Sequence, residues 1–259
     1  MKIEAQSELF TAGTEGPVAV IRLERNMIRQ LVRIEVKKPL FDFLDHAQES
    51  GDIRAVLIMG CPEKLSKQEL TEFFGSFFQP DRNVTDLARI HNAVGQLIAK
   101  IHAMTKFTVH ADCGEINSIF FNVSLACDWR IVSDRTVFCY PTLDLGIIPM
   151  GAGIFFMGRK LGSSATMRIL LSGKDIPAAE ALSLGLVDQV TEAENLDAEA
   201  LACVQRFAEK PLRLVADVKR LLSFGGNDLK SFLDMENRLV MESVQSERFR
   251  RRLQKHMDR

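Results

Sequence analysis

Short apolar runs alternate with amphipathic segments over the first part of the chain. The runs GPVAVIRLE (16–24) and IRAVLIMG (53–60) are rich in β-branched residues and stop at turn residues, so they predict buried strands. Between them, IEVKKPLFDFLDHAQES places Leu40, Phe43 and Leu44 at helical spacing, with charges on the other face. A strand, a helix and a strand in this order predict a parallel β-α-β unit.

The same pattern continues and then changes. LTEFFGSFFQPDRN indicates a helical turn and a loop, and DLARIHNAVGQLIAKIHAM is an amphipathic helix. KFTVHAD, WRIVSD and TVFCY are predicted strands, and IFFNVSLACD is a buried helix with one amide, Asn122. From about residue 154 the pattern is helical, and the tail SERFRRRLQKHMDR is strongly basic. That tail predicts a solvated or subunit-contacting helix or, alternatively, a contact with a ligand phosphate.

Composition narrows the classes of function. Hydrophobic residues make up 46% and charged residues 26% of the 259, and the net charge is −1, which gives no bulk preference for nucleic acid or an anionic membrane. The N-terminus lacks the apolar core of a secretory signal, and no run approaches the roughly 18 apolar residues of a membrane span. The five cysteines form no CxxC pair and the histidines are scattered, so we expect free thiols in the cytoplasm and no metal site.

One block carries a resemblance to a known family. SLACDWRIVSDRTVFCYPTLDLGIIPMGAG, followed by LSGKDIPAAEALSLGLVDQV, resembles the pattern of the crotonase (enoyl-CoA hydratase/isomerase) superfamily, and weaker matches extend over essentially the whole chain. The matching positions are Leu125 to Asp128, Arg130, Ile131, Pro141, Leu145, Gly146, Pro149, Leu171, Ser172, Gly173, Ile176, Ala178, Ala181, Gly185, Leu186, Val187 and Val190.

The resemblance implies an α/β fold, a crotonase-like spiral of β-β-α turns with a C-terminal helical region. It divides the chain into a core over residues 1–195 and a helical trimerisation region over 196–259, in a homotrimer or hexamer. Members bind acyl-CoA thioesters, and two backbone N–H groups hold the thioester oxygen as it becomes an enolate. Fixed donors aimed at developing charge are commonly the largest catalytic contribution. Hydratases add two glutamates for proton transfer and water activation.

Several of these features are changed here. The family's Gly-Gly-Gly falls at Ser118, Ile119 and Phe120, its first glutamate at Asn122, and its second glutamate at Thr142. Neither an amide nor an unassisted hydroxyl abstracts a proton at neutral pH. Asn122 therefore either bonds a backbone group inside the fold or faces an acyl pocket.

The two oxyanion donors have expected places as well. CPEKLSKQEL replaces the family's first donor segment and lacks its alanine and glycine, and by count the donor is the amide of Gln68. The second donor is the amide of Ile119. A backbone amide needs no particular side chain, but glycine lets the thioester approach closely, whereas a β-branched residue crowds it.

Other side chains offer alternative chemistry. Asp144 follows Thr142 by two residues and Tyr140 precedes it by two, while HADCGE carries a histidine and two acids that form either a relocated acid–base group or a structural cluster. Arg25 and Arg29 could meet the nucleotide of CoA or simply be solvated. The phenylalanines near the expected cleft are either core or an enlarged acyl pocket: Phe73, Phe74, Phe77, Phe78, Phe120, Phe121, Phe155 and Phe156.

Two hypotheses of different class remain. The first is a family protein that binds or acts on an acyl thioester, carried by CoA or by an acyl carrier protein, and that isomerises, decarboxylates or hydrolyses rather than hydrates; it needs no further cofactor. The second is a catalytically inactive member that uses the scaffold as a binding or interaction module.

Overall fold

The computed structural model describes residues 4–24, 30–60, 67–77, 84–223 and 228–257, with backbone only at 67–69, 84, 85, 141, 142 and 256. The strands are β1 Ala5–Ser7, β2 Phe10–Glu15, β3 Val18–Leu23, β4 Ala55–Met59, β5 Phe107–Asp112, β6 Glu115–Asn117, β7 Trp129–Ser133, β8 Val137–Cys139, β9 Ile176–Pro177 and β10 Gln189–Thr191. The helices are α1 Ile34–Glu49, α2 Lys67–Ser76, α3 Val84–Ala103, α4 Ser118–Leu125, α5 Pro141–Asp144, α6 Gly153–Ser172, α7 Ala178–Ser183, α8 Leu196–Ala208, α9 Leu212–Ser223, α10 Leu229–Gln245 and α11 Glu247–Met257.

The strands form a larger and a smaller sheet. In the larger, the order is β1-β2-β3-β4-β5-β7-β10; β1, β2 and β3 pair antiparallel, and the pairs from β3 onward are parallel. The smaller sheet joins β6, β8 and β9. The predicted β3-α1-β4 unit is confirmed, because Val18 pairs with Ala55 in parallel register.

The large sheet buries side chains on both faces. Val109 and Ala111 of β5 pack with Ala200 and Val204 of α8 in one apolar cluster. The larger cluster, on the opposite face, gathers residues from α1 to α4, α6 and the two C-terminal helices. Because alternate strand residues face opposite ways, His110 and Asp112 point away from α8.

The family-like motif residues hold the fold together. The guanidinium of Arg130 is 1% exposed and donates to the carbonyls of Leu186 at 2.9 Å and Cys127 at 2.8 Å, and it pairs with Asp188 at 2.5 Å. Asp128 accepts from the Thr108 amide at 2.8 Å and from Lys219 at 2.6 Å. These bonds join the end of α4 to β5, to the turn before β10 and to α9, so this part of the motif is structural.

Three local details differ from the sequence expectation. The Phe-rich segment is a full helix, α2, rather than a single turn. The helix expected from about residue 154 is present as α6, but a non-helical Gly162, which the sequence pattern did not predict, interrupts it. The polar N-terminal strands β1 and β2 were not predicted, because three to six residues with little apolar alternation give a weak signal.

Candidate functional site

The candidate site lies where α4 begins, immediately after β6. Asn117 is the N-cap of this helix: its Oδ1 accepts from the amide of Ile119 at 3.1 Å and from that of Phe120 at 3.5 Å. The amide predicted as the second oxyanion donor therefore already donates to a side chain of the same chain. A thioester oxygen would have to displace the Asn117 carboxamide to reach it.

The three residues at the positions where the resemblance predicts a glycine triplet are packed in the interior. Ser118 and Ile119 are 0% exposed and Phe120 is 1% exposed. Within the described part of the chain, the Ser118 hydroxyl has no hydrogen-bond partner. The space that glycines would leave at this helix end is occupied by packed side chains.

Asn122 is fully buried and holds the segment before α6. Its Nδ2 donates to the Met150 carbonyl at 2.6 Å. This bond agrees with the first of the two alternatives for Asn122, a hydrogen bond to a backbone group inside the fold. Its Oδ1 finds no donor among the described residues. This oxygen lies against Gly153, where an added Cβ would come within 2.2 Å of it. The NH2 group of Asn122 therefore has a structural role, whereas its oxygen has no hydrogen-bond donor among the described residues.

The segment Met150 to Gly153 also holds a carboxylate that the sequence analysis missed. Glu236 of α10 is 2% exposed; its carboxylate accepts from the amides of Gly151 at 2.9 Å and Ala152 at 3.0 Å, and lies 3.2 Å from His91 Nε2. Gly151 and Ala152 have φ of +94° and +58°, which aim both amides at the carboxylate at the start of α6. The sequence did contain a signal for this buried carboxylate, because Glu236 lies four residues from Phe232 and from Val240, on the apolar stripe of its helix.

Tyr140 and Asp144, just before and at the end of α5, differ in solvent exposure. Asp144 is exposed, whereas Tyr140 is 5% exposed and its hydroxyl donates to Met157 Sδ at 3.3 Å. Desolvation raises the pKa of Tyr140, which keeps the phenol neutral. Thr142 lies in α5, with its side chain outside the described residues. The structure thus places Asn122 in the interior and Asp144 at the surface.

The remaining predicted site residues are the oxyanion donor Gln68 and the CoA-binding arginines, and part of this set lies outside the described residues. Gln68 is the second residue of α2, so its amide belongs to the first turn, whose N–H groups have no acceptor within the helix. Its side chain and residues 61–66 lie outside the described residues. Arg25 and Arg29 also lie outside them. Their predicted roles stay predictions.

The cluster of His110 and two acids at the end of β5 and the start of β6 makes contacts within the fold. Asp112 is 2% exposed, its Oδ1 accepts from the Cys113 amide at 2.9 Å, and an added Cβ on Gly60 would come within 2.1 Å of it. Glu115 is exposed and contacts Cys139 Sγ at 3.6 Å. His110 is buried on the same face as Asp112. Gly60 follows β4 directly, so the Asp112 carboxylate lies beside the residue that precedes the predicted donor segment in the sequence.

The phenylalanines of α2 border a cavity. Phe73, Phe74 and Phe77 are buried and contact one another edge to face. A cavity of about 420 Å³ lies between α2 and α3. It is lined by Val32, Phe73, Ser76, Phe77, Asp86, Arg89 and Ile90. These three phenylalanines are therefore core residues, and Phe73 and Phe77 also line the cavity together with apolar and charged side chains. The enlarged acyl pocket stays a prediction.

Comparison with known proteins identifies the family. The model of the enoyl-CoA hydratase/isomerase family matches residues 13–259, and the chain belongs to this family. The probable enoyl-CoA hydratase EchA17 of Mycobacterium tuberculosis is 31% identical over 209 residues, 81% of this chain and 78% of that protein. The trans-2-decenoyl-[acyl-carrier-protein] isomerase of Streptococcus mutans is 23% identical over 226 residues, 86% of this chain and 85% of that protein.

Solved structures agree on the fold. The crystal structure of enoyl-CoA hydratase from Bacillus halodurans has a TM-score of 0.81 to this chain at 22% identity, covering 95% of this chain and 99% of that one. The predicted crotonase-like α/β fold is therefore confirmed. No helix in the described part of the chain is long and apolar enough to cross a membrane.

Proposed function

We propose that this protein binds an acyl thioester and does not hydrate it. The single observation that carries the binding is the cavity of about 420 Å³ walled by Phe73, Phe77 and Ile90. Its volume is within the range of small-molecule sites, and its walls suit an acyl chain. Family membership makes a thioester carried by CoA or by an acyl carrier protein the natural ligand class.

The absence of hydration follows from the residues at the proton-transfer positions. Asn122 and Thr142 stand where the resemblance expects two glutamates, and Asn122 is fully buried and bonded to Met150. Neither side chain can activate a water at neutral pH without a neighbouring base. An isomerisation, decarboxylation or hydrolysis would have to use another group, such as Asp144.

A thermal-shift and calorimetry series tests the proposal. CoA, acetyl-CoA and acyl-CoAs of increasing length should raise the melting temperature progressively, because a ligand that binds only the folded state stabilises it. Val32→Trp, which fills the rim of the cavity, should abolish the chain-length dependence. Ile34→Trp is the matched control, since Ile34 is 68% exposed and does not line the cavity. Hydration of crotonyl-CoA should stay at the uncatalysed rate.

A second function has its own support. The Asn117 cap on the Ile119 amide and the packed side chains at 118–120 favour a catalytically inactive member that serves as an interaction module. A flat thermal response to every thioester, with unchanged behaviour of Val32→Trp, would favour this second function and refute the first.

We also propose that the protein self-associates as a trimer or hexamer. In α9 none of the described residues is buried, and four of its apolar side chains are 47–73% exposed. These are Leu214, Val218, Leu221 and Leu222. An apolar helix face of this kind is typical of an interface. Light scattering coupled to gel filtration should give three or six times the 29.1 kDa chain mass, and Leu221→Lys should lower it.

A further inference from the structure

The last helix, α11, is the most basic surface segment of the chain. Over eleven residues it carries one acid, Glu247, and five described basic side chains, whereas the whole chain has a net charge of −1. The buried side chains of Phe249 and Leu253 hold the helix on the core. The basic side chains are Arg248, Arg250, Arg251, Arg252 and Lys255.

Most of these cations form no ion pair with an acidic side chain in the described part of the chain. Arg251 pairs with the exposed Glu247 at 3.2 Å. The described residues give no ion pair to the other four, although cations elsewhere on the surface are paired, as Arg33 is with Glu8 and Arg135 with Glu194. Like charges one turn apart repel each other. An anionic partner would relieve this repulsion.

The helix also lies beside the elements of the candidate site. Met257 packs on Gly75 of α2, where an added Cβ would be 2.8 Å from its sulfur, and Arg252 packs on Gly146 just after α5 in the same way, at 2.7 Å. Between α5, the end of α10 and α11 lies an open cavity of about 450 Å³. Its lining combines two guanidinium groups with two hydroxyls: Arg248, Arg252, Ser243 and Ser246, next to Leu145, Gly146, Glu242 and Phe249.

We propose that α11 is the docking surface for an acidic acyl carrier protein that presents the thioester. This inference rests on the proposed function and names its carrier. The cations that form no ion pair with a described residue span about two helical turns, which matches a carboxylate-rich helix of a partner protein. The cavity next to them offers the guanidinium donors of Arg248 and Arg252 to the phosphate of the carrier's phosphopantetheine arm, whereas the Ser246 hydroxyl already donates to the Ser243 carbonyl at 2.6 Å. Nucleic acid and membranes are less suited, because the basic surface is one short helix on a chain with no positive net charge.

The experiment compares carriers with the same acyl group. Calorimetry would measure octanoyl-CoA, an octanoylated acyl carrier protein and the same carrier protein without its arm, at about 50 and 300 mM NaCl. The variants are Arg250→Glu/Lys255→Glu, whose exposed side chains do not line the cavity, and, as a matched control of equal charge change, Lys174→Glu/Arg238→Glu, where Lys174 is exposed after α6 and Arg238 is exposed on α10.

The expected result has three parts. The octanoyl carrier protein binds about tenfold or more tightly than octanoyl-CoA, and its affinity falls with salt, as for charge-guided interfaces. The armless carrier still binds. The α11 double variant loses about tenfold or more of carrier affinity and keeps its octanoyl-CoA affinity, while the control changes by less than about twofold.

Other results overturn the inference and separate it from the proposed function. Binding of octanoyl-CoA without binding of either carrier form refutes the docking surface and leaves the proposed function standing. Carrier binding without any octanoyl-dependent gain refutes the proposed function and leaves the docking surface standing. Equal losses in the α11 variant and its control, equal losses for octanoyl-CoA and carrier, or equal competition by RNA or anionic vesicles each refute docking of a carrier protein.

Discussion

The buried Glu236 carboxylate makes a sharp prediction about stability. In Glu236→Gln the side chain keeps its size but presents only one oxygen, whereas the carboxylate accepts from the Gly151 and Ala152 amides and lies beside His91 Nε2. In either orientation of the new amide, its NH2 group faces a backbone N–H, that of Ala152 at 3.0 Å or that of Gly151 at 2.9 Å, and this donor–donor contact costs about 1–3 kcal/mol of unfolding free energy. Glu236→Ala leaves both amides without an acceptor and should cost about 2–6 kcal/mol.

Urea unfolding followed by circular dichroism measures these differences. Glu242→Gln is the matched control, because Glu242 is exposed on the same helix and should change the unfolding free energy by less than about 0.5 kcal/mol. If Glu236→Gln unfolds within that same margin of the parent, the carboxylate does not hold the start of α6, and the reasoning from its amide bonds is wrong.

The remaining predictions concern the helix cap, the glycine beside the buried amide and a buried thiol. Asn117→Ala should cost about 1 kcal/mol as a lost N-cap, yet raise acyl-thioester affinity in calorimetry by freeing the predicted oxyanion amide; unchanged affinity would contradict that role. Gly153→Ala should destabilise by about 1–3 kcal/mol, because the new Cβ meets Asn122, while Gly158→Ala on the same helix has open space and should not; equal melting temperatures would contradict this. Burial raises the pKa of Cys127 to about 12, and an unfolded thiol ionises near pH 8.5. The protonated thiol's contribution to stability is therefore complete below about pH 8.5 and is lost as the pH rises above it; urea midpoints from pH 7.5 to 10 should fall less steeply in Cys127→Ala, and parallel slopes would refute this.

The structure separates two kinds of motif residue in this family member. Arg130 joins the end of α4 to Asp188 and the Leu186 carbonyl, and these fold-forming residues match the family pattern. At the position where the resemblance predicts the first hydratase glutamate, Asn122 is bonded to a backbone carbonyl in the interior. Because bonds such as those of Arg130 keep the scaffold in place, the reaction can change while the fold persists.

The sequence by itself determined the fold class and the central β-α-β unit. Alternating apolar runs and helical stripes specify which face of each element is buried, and the motif block was specific enough for the crotonase-like architecture. The resemblance also assigned the two expected glutamates to the positions of Asn122 and Thr142, and this assignment stays a prediction. The short polar strand β1 was not predicted, because its pairing with β2, rather than its own composition, makes it a strand.

The tertiary structure alone decided what the candidate site contains. That α6 starts at Gly153 depends on a carboxylate 83 residues further along the chain, Glu236, which supplies the acceptors for the amides just before that start. That the Ile119 amide is capped depends on the Asn117 side-chain conformation, although an asparagine just before a helix is a cap signal in the sequence. Hydrogen-bond partners distant along the chain leave no periodic pattern, so only the folded chain reveals which groups are already satisfied.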